Sequence, residues 1–146
     1  MAAGALIDTG AVLALLDRGD RWHWSCVEAY NHSDLPLLTT EAVLAEVFHL
    51  TYRNLRDLTG VWRLLRSGAI RMVSISHDEL PAIQRLMDDY ADRPMDFADA
   101  TLVHLAARES ISLILTVDHD DFETYRIGGR KRFTILPGRK RSSRGH

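Results

Sequence analysis

The sequence predicts an α/β fold: a mainly parallel, twisted sheet with helices on both faces. Three observations carry that reading. Short apolar runs alternate with helical patterns along most of the chain. With 146 residues, 46% of them hydrophobic, the chain can bury one sizeable core. No internal repeat or linker divides it, so one domain is expected over residues 1–137.

The first apolar run, "ALI" (residues 5–7), reads as a strand, and "GAVLALLD" and "HWSCVEAYN" follow as helical segments. "PLLTT" is a second strand. "EAVLAEVFHLTYRN" and "LTGVWRLLRS" read as two helices divided around Gly60. "IRMVSIS" is a third strand and "HDELPAIQRLMDDYA" a helix. The stretch "RPMDFADATLVHLAA" (93–107) is a helix with Asp96 as its N-cap, because an Asp ahead of an apolar run takes up free backbone N–H groups. "SLILTV" is a buried strand, "DHDDFETY" a short turn and "RFTIL" a last strand. "PGRKRSSRGH" has no periodicity, and residues 138–146 are expected to form a mobile basic tail.

The net charge of −2 hides an asymmetry. Residues 126–146 hold 8 of the 18 Lys+Arg and none of the acids, leaving the first 125 residues at −10 and the last 21 at +8. A basic tail on an acidic body points to a polyanion or an acidic partner, while a solvated tail explains it equally well. The single cysteine, Cys26, cannot form an internal disulfide, so a reducing, cytoplasmic setting is expected. Asp8 interrupts the apolar start too early for a signal segment or a membrane span.

Four carboxylates stand where a structural residue would usually be apolar. Asp8 follows the first strand and Asp118 follows "SLILTV", the strand ends at which open α/β sheets place ligands. Asp99 has Met95, Leu102, Val103 and Ala106 at helical spacing, and Glu46 has Ala42, Val43, His49 and Leu50. Each has a structural explanation: Asp8 and Asp118 as caps, Asp99 as a first-turn acid complementing the helix dipole, Glu46 as a partner of Arg53. Together those explanations weaken, since grouped buried carboxylates cost several kcal/mol unless cations compensate, and no Lys or Arg is adjacent to Asp8, Asp99 or Asp118.

A divalent cation resolves the conflict. Oxygen-only ligands favour Mg²⁺ or Mn²⁺ over zinc, and the seven histidines form no ligand spacing such as HxxxH. Such an ion, held by a few carboxylates, keeps positions for water and phosphate oxygens, so phosphodiester chemistry is the expected use. No glycine-rich phosphate loop is present.

The stretches "ALIDTGAVLALLDRGDRWH", "TTEAVLAEVFHL", "MDFADATLVHLA" and "ILTVDHDDF", in this order, resemble the PIN-domain ribonucleases, most closely the bacterial VapC-type toxins. The similarity spans about residues 5–136. The resemblance implies an acid cluster on a Rossmann-like sheet that holds Mg²⁺ or Mn²⁺ and hydrolyses RNA. It assigns Asp8, Glu46, Asp99 and Asp118 as the cluster, with Thr9, Thr116 and the cap Asp96 in support. Asp120 and Asp121 compete with Asp118 for the fourth role, and Glu41 with Glu46. The resemblance also implies a homodimer and, as in type II toxin–antitoxin pairs, a small antitoxin whose segment covers the acidic cleft. The apolar faces of "EAVLAEVFHLTY" and "VWRLLR" are candidate contact surfaces.

RNA needs cations beyond an acidic cluster. Arg53, Arg56, Arg63 and Arg66 would share one broad face if the helix continued through Gly60, and Arg139, Lys140 and Arg141 offer a second candidate in the tail. Trp22 and Trp24 are candidates for base stacking, although core or dimer packing explains them as well. The rivals are a non-catalytic RNA- or protein-binding module of the same fold and a haloacid-dehalogenase-like phosphatase. The phosphatase wants a second acid two residues after the first, where this chain has Gly10. A receiver-type phosphoacceptor domain would need a late active-site lysine, and the only lysines, Lys131 and Lys140, lie in the basic segment.

Overall fold

A computed structural model describes residues 4–139. In chain order the elements are β1 (Ala5–Ile7), α1 (Thr9–Leu16), α2 (His23–Asn31), β2 (Leu37–Thr39), α3 (Glu41–Thr51), α4 (Leu55–Arg66) and β3 (Ile70–Met72). A 3-10 turn (His77–Glu79) leads into α5 (Leu80–Asp89), followed by α6 (Phe97–Glu109), β4 (Leu113–Leu115), α7 (His119–Thr124), β5 (Arg126–Ile127), β6 (Lys131–Arg132) and β7 (Thr134–Leu136).

Five strands form one parallel sheet in the order β3-β2-β1-β4-β7. β1 lies at its centre, with Leu6 opposite Leu38 on one side and Ile114 on the other, and all three β1 residues are buried. Strands covered on both faces need apolar side chains at every position, which is why "ALI" shows no polar alternation. Around the sheet, Val12, Val43, Val47, Leu102, Leu105 and Phe122 complete the core. The chain lays β2 and β3 on one side of β1 and then returns to place β4 and β7 on the other. That reversal opens a crevice beyond the carboxyl ends of β1 and β4, the site open α/β sheets use for ligands.

Several boundaries differ from the sequence expectation. The break between α3 and α4 falls at residues 52–54, where Asn54 Oδ1 accepts the Asp57 N–H at 3.1 Å, and Gly60 lies inside α4. Gly60 serves close packing instead, since a Cβ there would sit 2.6 Å from Leu16 Cδ2 of α1. The third strand stops at Met72, because Ser76 and Glu79 form a capping box that starts the 3-10 turn. "DHDDFETY" is the six-residue helix α7 rather than a plain turn, and an unexpected antiparallel pair, β5–β6, precedes the last strand.

Candidate metal centre

Asp8 stands at the carboxyl end of β1 and is buried. Its Oδ1 accepts the Ala11 N–H at 3.0 Å, capping α1, and its Oδ2 accepts the Thr116 hydroxyl at 2.5 Å. Thr116 follows β4, the neighbouring strand, and its Oγ1 also accepts the Asp118 N–H at 2.9 Å. One threonine thus fixes the two strand-end acids relative to each other. Thr39 adds a third anchor, donating from β2 to the Ile7 carbonyl at 2.9 Å.

Asp99 comes from the first turn of α6. Asp96 caps that helix, its Oδ1 accepting the Asp99 N–H at 2.7 Å. The Tyr125 hydroxyl donates to Asp99 Oδ2 at 3.0 Å. Tyr125 is itself buried, edge-on to Phe122 and Tyr90, so the donor is held by packing. Asp118 N-caps α7, accepting the Asp121 N–H at 3.4 Å. Carboxylate oxygens of Asp99, Asp118 and Asp121 lie within 4.8 Å of one another.

Asp8 and Glu46 are outside that tightest set. Glu46 is exposed, although its neighbours at helical spacing are mostly apolar, and its Oε1 accepts the Thr9 hydroxyl at 2.8 Å, tying α3 to the start of α1 at the rim. The apolar stripe that spacing assigns to it is partly open, since Leu50 on the same helix is 60% exposed. Of the rival acids, Glu41 accepts the Ile75 N–H at 3.0 Å and Asp120 pairs with Arg139, so each has a structural partner. Asp121 joins the cluster and also pairs with Arg93 at 3.0 Å.

The electrostatics follow from burial and crowding. Burial pushes Asp99 up to about 8, and the charge of Asp96 adds to it against the Tyr125 hydrogen bond. Asp8 is held at about 6, its burial outweighing the hydrogen bonds from Thr116 and Ala11. Asp118 is raised to about 6 by desolvation and then by Asp121 beside it. Among the described residues no Lys or Arg pairs with Asp8, Asp99 or Asp118. Proton-hungry carboxylates with oxygen as the only donor atom fit a hard divalent cation, whose charge would ionise them all.

The candidate RNA contacts scatter. Arg56, Arg63 and Arg66 share a face of α4, whereas Arg53 lies before its cap and stacks on Tyr52. Arg139 is held by Asp120 and Glu123, while Lys140, Arg141 and the tail beyond them lie outside the described residues. Trp24 is 68% exposed, and Trp22 packs against His119. Sequence reasoning missed Tyr125 and Arg93. Neither could be found from strand-end or helix-stripe position, because both reach the cluster from irregular segments.

A PIN-domain family model matches residues 5–127. Ribonuclease VapC26 of Mycobacterium tuberculosis is 32% identical over 134 residues, covering 90% of this chain and 99% of that protein. The fold is also that of M. tuberculosis VapC20, a sarcin–ricin-loop-cleaving toxin (TM-score 0.71, 20% identity, 80% of this chain and 91% of that one). A chain of a toxin–antitoxin complex from Klebsiella pneumoniae is similar as well (TM-score 0.63, 19% identity, 82% and 91%). The family match over most of the chain and the full-length relative, with the acids gathered at the β1/β4 crevice, lead to one conclusion: this chain belongs to the PIN-domain family.

Proposed function

We propose that the chain is a metal-dependent endoribonuclease and the toxin of a bacterial type II toxin–antitoxin pair. The observation that carries this reading is the meeting of Asp8, Asp99 and Asp118 at the crevice with raised pKa values and, among the described residues, no Lys or Arg paired to any of the three. The family and the ribonuclease relative supply the reaction class. Residues 1–137 are read as the nuclease unit and 138–146 as a basic tail that aids RNA binding.

Asp8, Asp99 and Asp118 would hold Mg²⁺ or Mn²⁺, with Asp121 and Glu46 beside them. The bound ion would supply Lewis-acid polarisation of the phosphodiester and an acidified water. This chain's residues do the rest. Thr116 orients Asp8 and Asp118, Tyr125 orients Asp99, and Asp96 keeps the first turn of α6 in place. Glu46, steadied by Thr9 at the exposed rim, takes the proton of the attacking water.

The cognate antitoxin and a second copy of the chain are the expected partners, in a cytoplasmic setting. No described helix is long and apolar enough to cross a membrane. An apolar groove of about 660 Å³ between α3 and α4, lined by Leu44, Phe48, Trp62, Leu65 and Met72, suits such a contact. The test is Mn²⁺-dependent cleavage of total RNA by the wild type and by Asp99→Asn. Specific cleavage by the wild type alone supports the proposal. Equal cleavage by both removes Asp99 from the site, and no cleavage of any RNA, with no Mn²⁺ bound, favours the non-catalytic binding module.

A further inference from the structure

We infer that Arg93 is a phosphate-binding residue of the nuclease site, placed to hold an RNA phosphate next to the one being cleaved. The inference rests on the ribonuclease reading above and adds a substrate contact to it.

Arg93 lies in the loop between α5 and α6, three residues before the Asp96 cap. Its Nη2 donates to Asp121 Oδ1 at 3.0 Å and its Nη1 to the Thr124 hydroxyl at 2.8 Å, both on α7. Among the described residues it is the only cation paired with a member of the acidic cluster. Two other arginines are spent elsewhere: Arg108 on Glu79 and Glu109, Arg139 on Asp120 and Glu123.

Arg93 keeps donors to spare. A guanidinium carries five N–H groups in a rigid fork. Here two of them are used, and the side chain is 48% exposed. The Asp121 and Thr124 contacts fix the fork's position and leave three N–H groups without a partner among the described residues. An arginine held in place at the border of a metal-binding carboxylate cluster supplies what that cluster lacks, a fixed positive charge for a phosphate that the acidic body otherwise repels. A partner carboxylate shared with the cluster also keeps the guanidinium close to the reaction without adding a free cation that would expel the metal.

The test uses the full chain with Mn²⁺ and a fluorescein-labelled phosphorothioate RNA 12-mer, read by anisotropy over a KCl series, alongside Mn²⁺ titrations followed by electron paramagnetic resonance and thermal unfolding of each variant. Arg93→Gln is expected to weaken RNA binding about tenfold at low salt and to reduce the log–log salt slope by about one, as loss of a single phosphate contact requires. Arg93→Lys, which keeps the charge but loses the fork, is expected to retain the wild-type salt slope and to recover only part of the affinity, with Mn²⁺ affinity within about twofold in both variants. Unchanged RNA affinity and slope in Arg93→Gln overturns the assignment. So does a parallel fall in Mn²⁺ affinity in Arg93→Gln, since that means that Arg93 acts through the geometry of Asp121. A wild type that binds no Mn²⁺ overturns the nuclease reading itself, and the Arg93 contact with it. Mn²⁺ binding by the wild type with no effect of Arg93→Gln removes the contact alone.

Discussion

Replacing Asp99 by Asn should stabilise the metal-free protein at alkaline pH and leave it unchanged in acid. Asp99 titrates near 8 in the fold against an ordinary value of 3.8. Between those limits the folded state binds more protons than the unfolded one, so stability falls as pH rises from about 4 to about 8. At about 1.4 kcal/mol per unit, the full shift would place the penalty of the ionised side chain near 6 kcal/mol, an upper bound. Partial exposure and adjustment by Asp118 and Asp8, which titrate near 6, reduce the net effect to roughly 2 kcal/mol. Asn keeps an acceptor for the Tyr125 hydroxyl, so the substitution removes the charge with little loss of packing. The assay is thermal unfolding in chelator at pH 3 and pH 8.5. The expected result is a Tm for Asp99→Asn roughly 6 °C above the wild type at pH 8.5, shrinking towards zero at pH 3, below the ordinary value of 3.8. An Asn variant less stable than the wild type at both pH values would refute the reasoning and make Asp99 a structural residue.

Further outcomes follow from the same geometry. Thr116→Val removes the donor to Asp8 and the acceptor for the Asp118 N–H, and should cost about 1–3 kcal/mol of stability and weaken Mn²⁺ binding about tenfold, measured by denaturant melts and metal titration. Tyr125→Phe keeps the edge-on packing with Phe122 but leaves Asp99 without its hydroxyl donor. It should raise the Asp99 pKa further and sharpen the loss of stability towards pH 8, read from unfolding at several pH values. Glu79 is held at about 2 by the Ser76 N–H, His104 and Arg108. Its contribution is therefore present above about pH 4.5 and lost as pH falls through 2, so Glu79→Gln should cost about 1–2 kcal/mol at pH 7 and almost nothing at pH 2 in the same assay.

How much of this was legible in the sequence depends on how local each feature is. Asp8 and Asp118 were readable because an acid directly after an apolar strand has few other uses, and Asp96 because capping chemistry is written within four residues. Asp99 was readable only as a conflict between its charge and its apolar neighbours. Glu46 has an apolar stripe by spacing yet is exposed, since helical periodicity cannot tell which edge of such a stripe faces the groove between α3 and α4. Gly60 was taken for a break because its reason for being glycine, the close approach of Leu16 across 44 positions of sequence, has no local sign. Tyr125 and Arg93 escaped notice for the same reason: their partners lie 26 and 28 positions away, and tertiary structure alone brings them together. The helix in "DHDDFETY" was missed because six residues are too few to show a period.

The central claim is that the carboxylates at the β1/β4 crevice form a metal centre, and direct titration of Mn²⁺ into the apo protein, followed by electron paramagnetic resonance at pH 7.5, tests it. The account predicts saturable binding by the wild type, weakened at least tenfold in Asp99→Asn and in Asp118→Asn while both variants remain folded. Absence of saturable binding by the wild type, or equal binding by all three proteins, would contradict it.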